Sequence, residues 1–275
     1  MTVARVRLAP EPEWLAPSSL DEALRLRAER ADDATVLAGG TFVAILMNQG
    51  LLAPTAFLSL RDVPGLDEIA VDDGELRLGA LVSHRAVELS PVVREHVPAL
   101  ALAFSVVASP RVRNQATVGG VLADADYASD PPAMLTALGA RVRVRSVRGA
   151  REIPLEELII GHYTTSLAPD ELLVDVRVPL GEHQATYRKF RSRSHEDRPC
   201  VGVAACRRPR ELRVVVGAVA DRPQWFPELC EGEPAEIGRA YAAAIDPLDD
   251  VRGTSDYRRR VIAVEVRRAL EEVCL

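Results

Sequence analysis

The chain has 275 residues, of which 48% are hydrophobic and 27% charged, with a formal net charge of −6. This is enough apolar material for one large or two modest domains. The acidic balance excludes binding to nucleic acid through a basic face. No apolar run reaches the length of a membrane span, and no charged-then-apolar leader opens the sequence, so a soluble cytoplasmic protein is expected.

In chain order, Ser19-Leu20-Asp21-Glu22 has the pattern of a capping box. It opens a helix with Leu20, Ala23, Leu24 and Ala28 on one face. Thr35-Val36-Leu37-Ala38 reads as a short strand ending at Gly39-Gly40. Phe42, Ile45, Leu46 and Gln49 follow at helical spacing as far as Gly50. This unit places the amides of Gly40, Thr41 and Phe42 at a helix N-terminus, where an anion is favoured. Ile69–Val71 and Leu76–Leu78 flank Asp72-Asp73-Gly74-Glu75, a hairpin signal. His84 to Leu89 and Ala99 to Val107 read as helices.

The segment from Ala108 to Asp130 holds Pro110, Gly119-Gly120 and a run of small and acidic residues. It reads as a long irregular stretch, and such stretches in compact domains are usually functional. A helix is expected from Pro131 to Leu138. Strands are expected at Arg141–Arg145, whose alternation marks one solvated face, and at Leu172–Val178, stopped by Pro179. Gly181 to Gln184 reads as a junction. Three antiparallel strands (Ala185–Phe190, Val201–Cys206, Leu212–Val219) and two helices (Ile237–Ile245, Asp256–Val273) complete an α+β chain.

Neither diglycine belongs to a G-x-G-x-x-G or a Gly-Lys-Ser/Thr pattern, which excludes the Rossmann and P-loop readings. Two diglycines, one of them opening a helix, leave a tight turn and a diphosphate cradle about equally open. The four cysteines form no metal-ligand set. Cys200 and Cys206, six apart in a strand-like stretch, are expected on one face as reduced, buried thiols. His84, His96, His162, His183 and His195 are scattered and read as surface or capping residues. No metal ligand and no catalytic acid–base group is expected.

The motif Val36-Leu37-Ala38-Gly39-Gly40-Thr41-Phe42-Val43 resembles that of the FAD-binding medium subunits of molybdenum hydroxylases. So does Ser109-Pro110-Arg111-Val112-Arg113-Asn114, with Thr117-Val118-Gly119-Gly120, Ala125-Asp126 and Ala128-Ser129-Asp130. The likeness continues through Tyr187-Arg188-Lys189-Phe190 and Val201–Ala204, and so covers nearly the whole chain. It implies a two-part FAD-binding domain of the vanillyl-alcohol-oxidase (PCMH) type at 1–180, with subdomains 1–55 and 56–180. A small C-terminal α+β domain with a three-stranded antiparallel sheet would follow at 181–275. It also implies electron transfer from a 2Fe-2S small subunit, beside a molybdopterin large subunit, through FAD to an external acceptor. A free-standing FAD oxidoreductase and a flavin-free scaffold of the same fold are the alternatives.

By match, Val36, Leu37, Ala38, Gly39, Gly40, Thr41, Phe42 and Val43 belong to the FAD-binding set; Ala38 to Phe42 would supply backbone amides and the Thr41 hydroxyl to the diphosphate, and Thr117, Gly119 and Gly120 would do likewise from the other side. Asp130, with Asp126 as a second candidate, holds a hydroxyl-bearing part of FAD. Leu173 borders its rings, and Lys189 joins the binding set. Val121, Asp124 and Arg198 depart from the family pattern. An arginine at 198 near the isoalloxazine would favour negative charge on the reduced ring.

Overall fold

A computed structural model describes residues 11–194 and 196–274; the first ten residues of the expected N-terminal domain and His195 lie outside them. The chain begins with β1 (Glu13–Leu15), α1 (Leu20–Arg30), β2 (Ala34–Leu37), α2 (Thr41–Asn48) and β3 (Ala56–Ser59). The three strands form a parallel sheet in the order β1-β3-β2. Ala56 and Leu58 of the central strand pack with Ala23 and Leu24 of α1 in a small core. The Ser19 hydroxyl accepts from Glu22 N–H at 3.2 Å and so starts α1. The Glu22 carboxylate turns back to Ser18 instead, which leaves the expected capping box half-formed.

The hairpin of β4 (Ile69–Asp72) and β5 (Glu75–Gly79) turns through Asp73 and Gly74, both at positive φ (48° and 77°), the geometry that favours an Asp-Gly pair. A helical stretch follows: α3 (His84–Leu89), α4 (Pro91–His96), α5 (Pro98–Ser105), α6 (Pro110–Arg113), α7 (Val118–Asp124) and α8 (Asp130–Ala137). Then come β6 (Arg141–Ser146), β7 (Gly149–Pro154), α9 (Leu155–Leu158), the small hairpin β8 (Ile159–Gly161) and β9 (Thr164–Thr165), and β10 (Leu172–Pro179). The second sheet has the order β4-β5-β10-β6-β7 and is antiparallel. On β6, Val142 and Val144 face the main core, while Arg141, Arg143 and Arg145 pair with Glu75, Asp175 and Asp21.

The segment 108–130 is not the irregular stretch its composition predicts. It folds as two one- to two-turn helices and enters a third. Each of the first two is started by a hydroxyl: Ser109 Oγ accepts from Val112 N–H at 3.5 Å, and Thr117 Oγ1 from Gly120 N–H at 3.1 Å. Helices this short carry too few residues to show a hydrophobic period, and the two glycines lower their intrinsic propensity. Packing decides instead: Val118 and Leu122 are fully buried.

The third sheet, β11 (Gln184–Phe190), β12 (Val201–Arg208), β13 (Glu211–Gly217) and β14 (Gln224–Trp225), is antiparallel in that order, and it is followed by α10 (Pro234–Ala244) and α11 (Ser255–Val273). It has four strands where three are expected. The fourth is only two residues long, too short to show alternation, and is pinned by the Arg213 guanidinium lying 4.4 Å from the Trp225 ring centre. β12 is buried on both faces: Val201, Val203 and Ala205 belong to the core under α10 and α11, and Ala204 and Cys206 to the main core. Cys200 precedes the strand and turns to the helical side, so it does not share a face with Cys206. The main core therefore runs across the expected boundary at residue 180, joining Tyr187, Cys206 and Val215 to α5 and α8. Among the described residues no helix is long and apolar enough to cross a membrane.

α10 and α11 approach most closely at Gly238, where a Cβ would run into the Ala263 carbonyl. Gly238→Ala is expected to force the helices apart and lower stability by about 1–3 kcal/mol, despite the better helix propensity of alanine. Urea denaturation of the pure protein measures it; an unchanged or raised midpoint would show that the contact yields without strain.

Candidate functional site

The two glycine motifs meet backbone to backbone. β2 runs into Ala38-Gly39-Gly40, and Gly40, at φ 71°, turns the chain into α2. A Cβ on Gly39 would overlap the Gln115 carbonyl, so only glycine lets the two segments touch. Residues 116–118 pair in turn with 82–84: His84 N–H donates to Ala116 O at 2.8 Å and Val118 N–H to Val82 O at 2.9 Å.

The first bond within α2 runs from Ala44 N–H to Gly40 O, which leaves the amides of Thr41, Phe42 and Val43 without an intrahelical acceptor. The first turn carries no acidic residue and no side-chain cap. Dipole and donors together make this end a site for an anion.

The second motif contributes differently from what its sequence predicts. Gly119 N–H donates to Ala80 O at 2.8 Å, and Gly120 N–H to Thr117 Oγ1 at 3.1 Å, so neither glycine presents a bare amide. Gly119 is required by packing, since its Cβ would stand 2.8 Å from that of Ala80. The motif offers the Thr117 hydroxyl proton and a wall without side chains.

Both motifs open into a cavity of about 1180 Å³, larger than the ~300–1,000 Å³ of ordinary small-molecule sites. Val36 and the run Ala38 to Val43 line it, as do Thr117, Gly119, Gly120, Asp126, Asp130, Leu173 and Lys189. Leu37 does not line it. Its neighbours Ala34, Thr35 and Val36 on β2, and Ala38 just after it, all do.

Asp126 and Asp130, on the wall, are already partnered. Asp126 accepts from Ala128 N–H at 3.1 Å and pairs with Arg198 at 2.7 Å. The Arg198 charge is thus compensated in place by Asp126, with its side chain still partly open to solvent. Asp124, at the C-terminal end of α7, has its carboxyl pushed up to about 7 by burial and by the neighbouring Asp126, against the pull of Arg198.

Asp130 accepts from the Tyr187 hydroxyl at 2.7 Å and from Lys189 Nζ at 2.9 Å. Lys189 also donates to Val106 O at 2.8 Å, and its side chain is only 3% exposed. Burial pulls the ammonium down and pushes the Asp130 carboxyl up, each opposed by the charge of the other. Both oxygens of Asp130 are therefore engaged within the protein, whereas Lys189 keeps one N–H for the cavity.

Sequence reasoning missed His84. Read as a surface or capping residue, it is 1% exposed and lies on the cavity wall. Arg252 also lines the cavity, brought there by its bonds to Asp250 and the Tyr127 hydroxyl. No local pattern marks either residue. Among the described residues no cluster of three or more histidine, cysteine or acidic side chains is arranged to hold a metal ion.

Residues 8–181 match the family model described as the FAD binding domain in molybdopterin dehydrogenase. Subunit alpha of the 6-hydroxypseudooxynicotine dehydrogenase complex of Paenarthrobacter nicotinovorans is 34% identical, over 95% of this chain and 94% of its own. The nicotine 6-hydroxylase medium subunit of the same organism is 32% identical, over 96% and 97%. The fold superposes with a TM-score of 0.92 on a chain of carbon monoxide dehydrogenase from Hydrogenophaga pseudoflava, in a form lacking the Mo-pyranopterin moiety of the molybdenum cofactor. That chain is 28% identical, with 97% of this chain and 98% of that one covered.

Two outcomes follow from the geometry. Gly39→Ala pushes the motifs apart, and FAD content per chain, read from flavin absorbance, is expected to fall at least tenfold in a protein that still folds; full retention would contradict the close approach. Asp124 binds a proton in the folded chain between its ordinary value of 3.8 and its folded value of about 7. Stability therefore declines as pH rises through that window. In Asp124→Asn this decline is removed, so the urea midpoint of the variant should gain on that of the parent as pH rises from about 4 to about 7, and the gap should then stay constant above neutrality. Parallel curves would exclude the effect.

Proposed function

Since the chain belongs to the family of FAD binding domains in molybdopterin dehydrogenases, we propose that it is the electron-transferring flavoprotein subunit of a molybdopterin-dependent hydroxylase or dehydrogenase. It is a component of an oxidoreductase, and FAD is its cofactor. Electrons would arrive from 2Fe-2S clusters on a small partner subunit and leave through FAD to an external acceptor. Substrate would be oxidised on a large molybdopterin subunit, which is why this chain needs no acid–base pair of its own. We read 1–180 as a two-part FAD-binding domain of the PCMH type, split near residue 55, and 181–275 as a C-terminal domain, in a cytoplasmic protein.

The observation that carries this reading is the side-chain-free meeting of Gly39 with Gln115–Ala116 beside the open N-terminus of α2. A diphosphate fits such a cradle: it is anionic, needs close backbone approach, and finds three amides without intrahelical acceptors. Bound FAD supplies the redox chemistry, accepting and releasing electrons. The protein binds and orients it. The amides of Thr41, Phe42 and Val43 and the Thr117 hydroxyl hold the diphosphate. Lys189 fixes a buried positive charge with its third N–H toward the cavity, and Leu173 supplies an apolar wall. Asp126 and Asp130 act through Arg198 and Lys189, holding those cations in place.

Lys189 is the only lysine in a chain with 34 basic residues. Its role requires a compact ammonium with three separate donors, which a planar guanidinium does not supply. Lys189→Met is expected to lower FAD affinity about tenfold or more, because it also leaves Asp130 buried without its cation. The assignment itself is tested by producing the chain with its neighbouring coding sequences and recording native mass, metal content and flavin spectrum. A yellow complex with two further chains carrying iron and molybdenum supports it. A yellow chain that never associates supports a free-standing oxidoreductase, and a chain that stays colourless with added FAD overturns both.

A further inference from the structure

The His84 imidazole sits behind the diphosphate cradle with one of its two nitrogens unused. Nε2 lies 3.2 Å from the Thr117 carbonyl and donates to it, while Nδ1 is buried without a partner. His84 contributes to the cavity wall, and its Nδ1, closed off from solvent and without a partner among the described residues, calls for a physical explanation. The ring is held rigidly. His84 begins α3 behind the Ser83 cap, its own N–H bonds Ala116 O, and its ring meets the edge of Phe104 at 4.9 Å. Through Thr117 it touches the residue whose hydroxyl caps α7 and faces the same cavity.

The charges around it favour an anion. From α6 it faces Arg113, whose guanidinium is tied to Glu88 and to the Val107 and Ala108 carbonyls. On its own helix, Arg85 and Glu88 pair with each other. α5 carries no ionisable residue, and neither does the 116–118 strand or the first turn of α7. On α4, Arg94 and Glu95 are exposed and His96 is half-buried. From Ala34 to Leu60, through β2, the cradle and α2, the sequence has no charged side chain at all. No carboxylate in the cradle competes with a bound phosphate for a proton-bearing imidazole.

We propose that His84 is a positioning residue of the FAD site that binds a proton together with the cofactor. In the free chain it is neutral and holds Thr117 through Nε2–H. When the diphosphate enters, a proton from solvent adds to Nδ1, forming an N–H bond and an imidazolium that Nε2–H still anchors to Thr117. Burial holds the free imidazole down at about 4, and the Arg113 charge adds to that. A nearby diphosphate reverses the balance. The inference rests on the FAD-binding reading and adds a linkage which that reading does not require.

If the bound imidazole returns to its ordinary value of about 6.5, FAD binds about tenfold more tightly at about pH 5.5 than at about pH 7.5. The test is calorimetric titration of the cofactor-stripped protein with FAD, whose diphosphate does not titrate in this range, in two buffers of different ionisation enthalpy. The expected result is uptake of close to one proton at the acidic end, with the pH dependence retained in Asp124→Asn, which removes the other titrating group on the wall. In His84→Gln the uptake and the pH dependence should vanish, with affinity near the high-pH value. NMR of ring-labelled histidine in the parent chain should show one imidazole becoming charged on FAD addition, a readout that stands even if the glutamine variant does not fold. Binding with no proton uptake, or uptake lost in Asp124→Asn, overturns the inference and leaves the FAD reading intact. Failure to bind FAD at any pH overturns both.

Discussion

The fold is organised around a place where no side chain fits. Gly39 lies against the Gln115–Ala116 backbone, and that contact fixes the register of everything on either side. On one side it sets the exit of β2 and hence the direction of α2, with its three amides open to the cavity. On the other, residues 116–118 are pulled into pairing with 82–84, which positions α3 and α7 together. Gly119 extends the principle by letting α7 settle on Ala80. Glycine is used at both positions for proximity and not for dihedral freedom, since neither Gly39 nor Gly119 has a positive φ.

A second constraint joins the two halves of the chain. Asp130 begins α8, whereas Tyr187 and Lys189 both lie on β11, and all three are buried around one carboxylate. A buried ion pair gives little net stability, because desolvation offsets the attraction, but removing one partner is strongly unfavourable. Its value lies in geometry. The pair, with the Val106 carbonyl, ties the third sheet to the helical layer at one defined place and leaves one ammonium proton directed to the cavity. The residue that joins β11 to α8 thus also lines the cavity, so a change to one contact disturbs the other.

The sequence made the glycine motifs, the Asp73-Gly74 hairpin and most long elements legible because each depends on neighbouring residues. The match to a family string carried Lys189 and Asp130, whose partners lie 59 residues apart and leave no local trace. What failed shows the same boundary from the other side. The 108–130 segment read as irregular because helices of four and seven residues have no period to detect, and tertiary burial of Val118 and Leu122 overrode two glycines. His84 gives no local sign of its burial for a related reason: it meets a segment 33 residues away, at Thr117.

The field inside the cavity follows from these arrangements. Arg198 is matched by Asp126, Arg252 by Asp250, and Lys189 by Asp130, so these three cations reach the wall with their charge largely balanced and their N–H donors held in place. Arg27, Arg111 and Arg193 also line the cavity, with no carboxylate paired to them among the described residues, and they add to its attraction for an anion. The α2 terminus contributes as well, within 27 uncharged positions from Ala34 to Leu60. Asp124 is a half-buried carboxyl without a hydrogen-bonded partner, and it makes that part of the wall the most sensitive to pH.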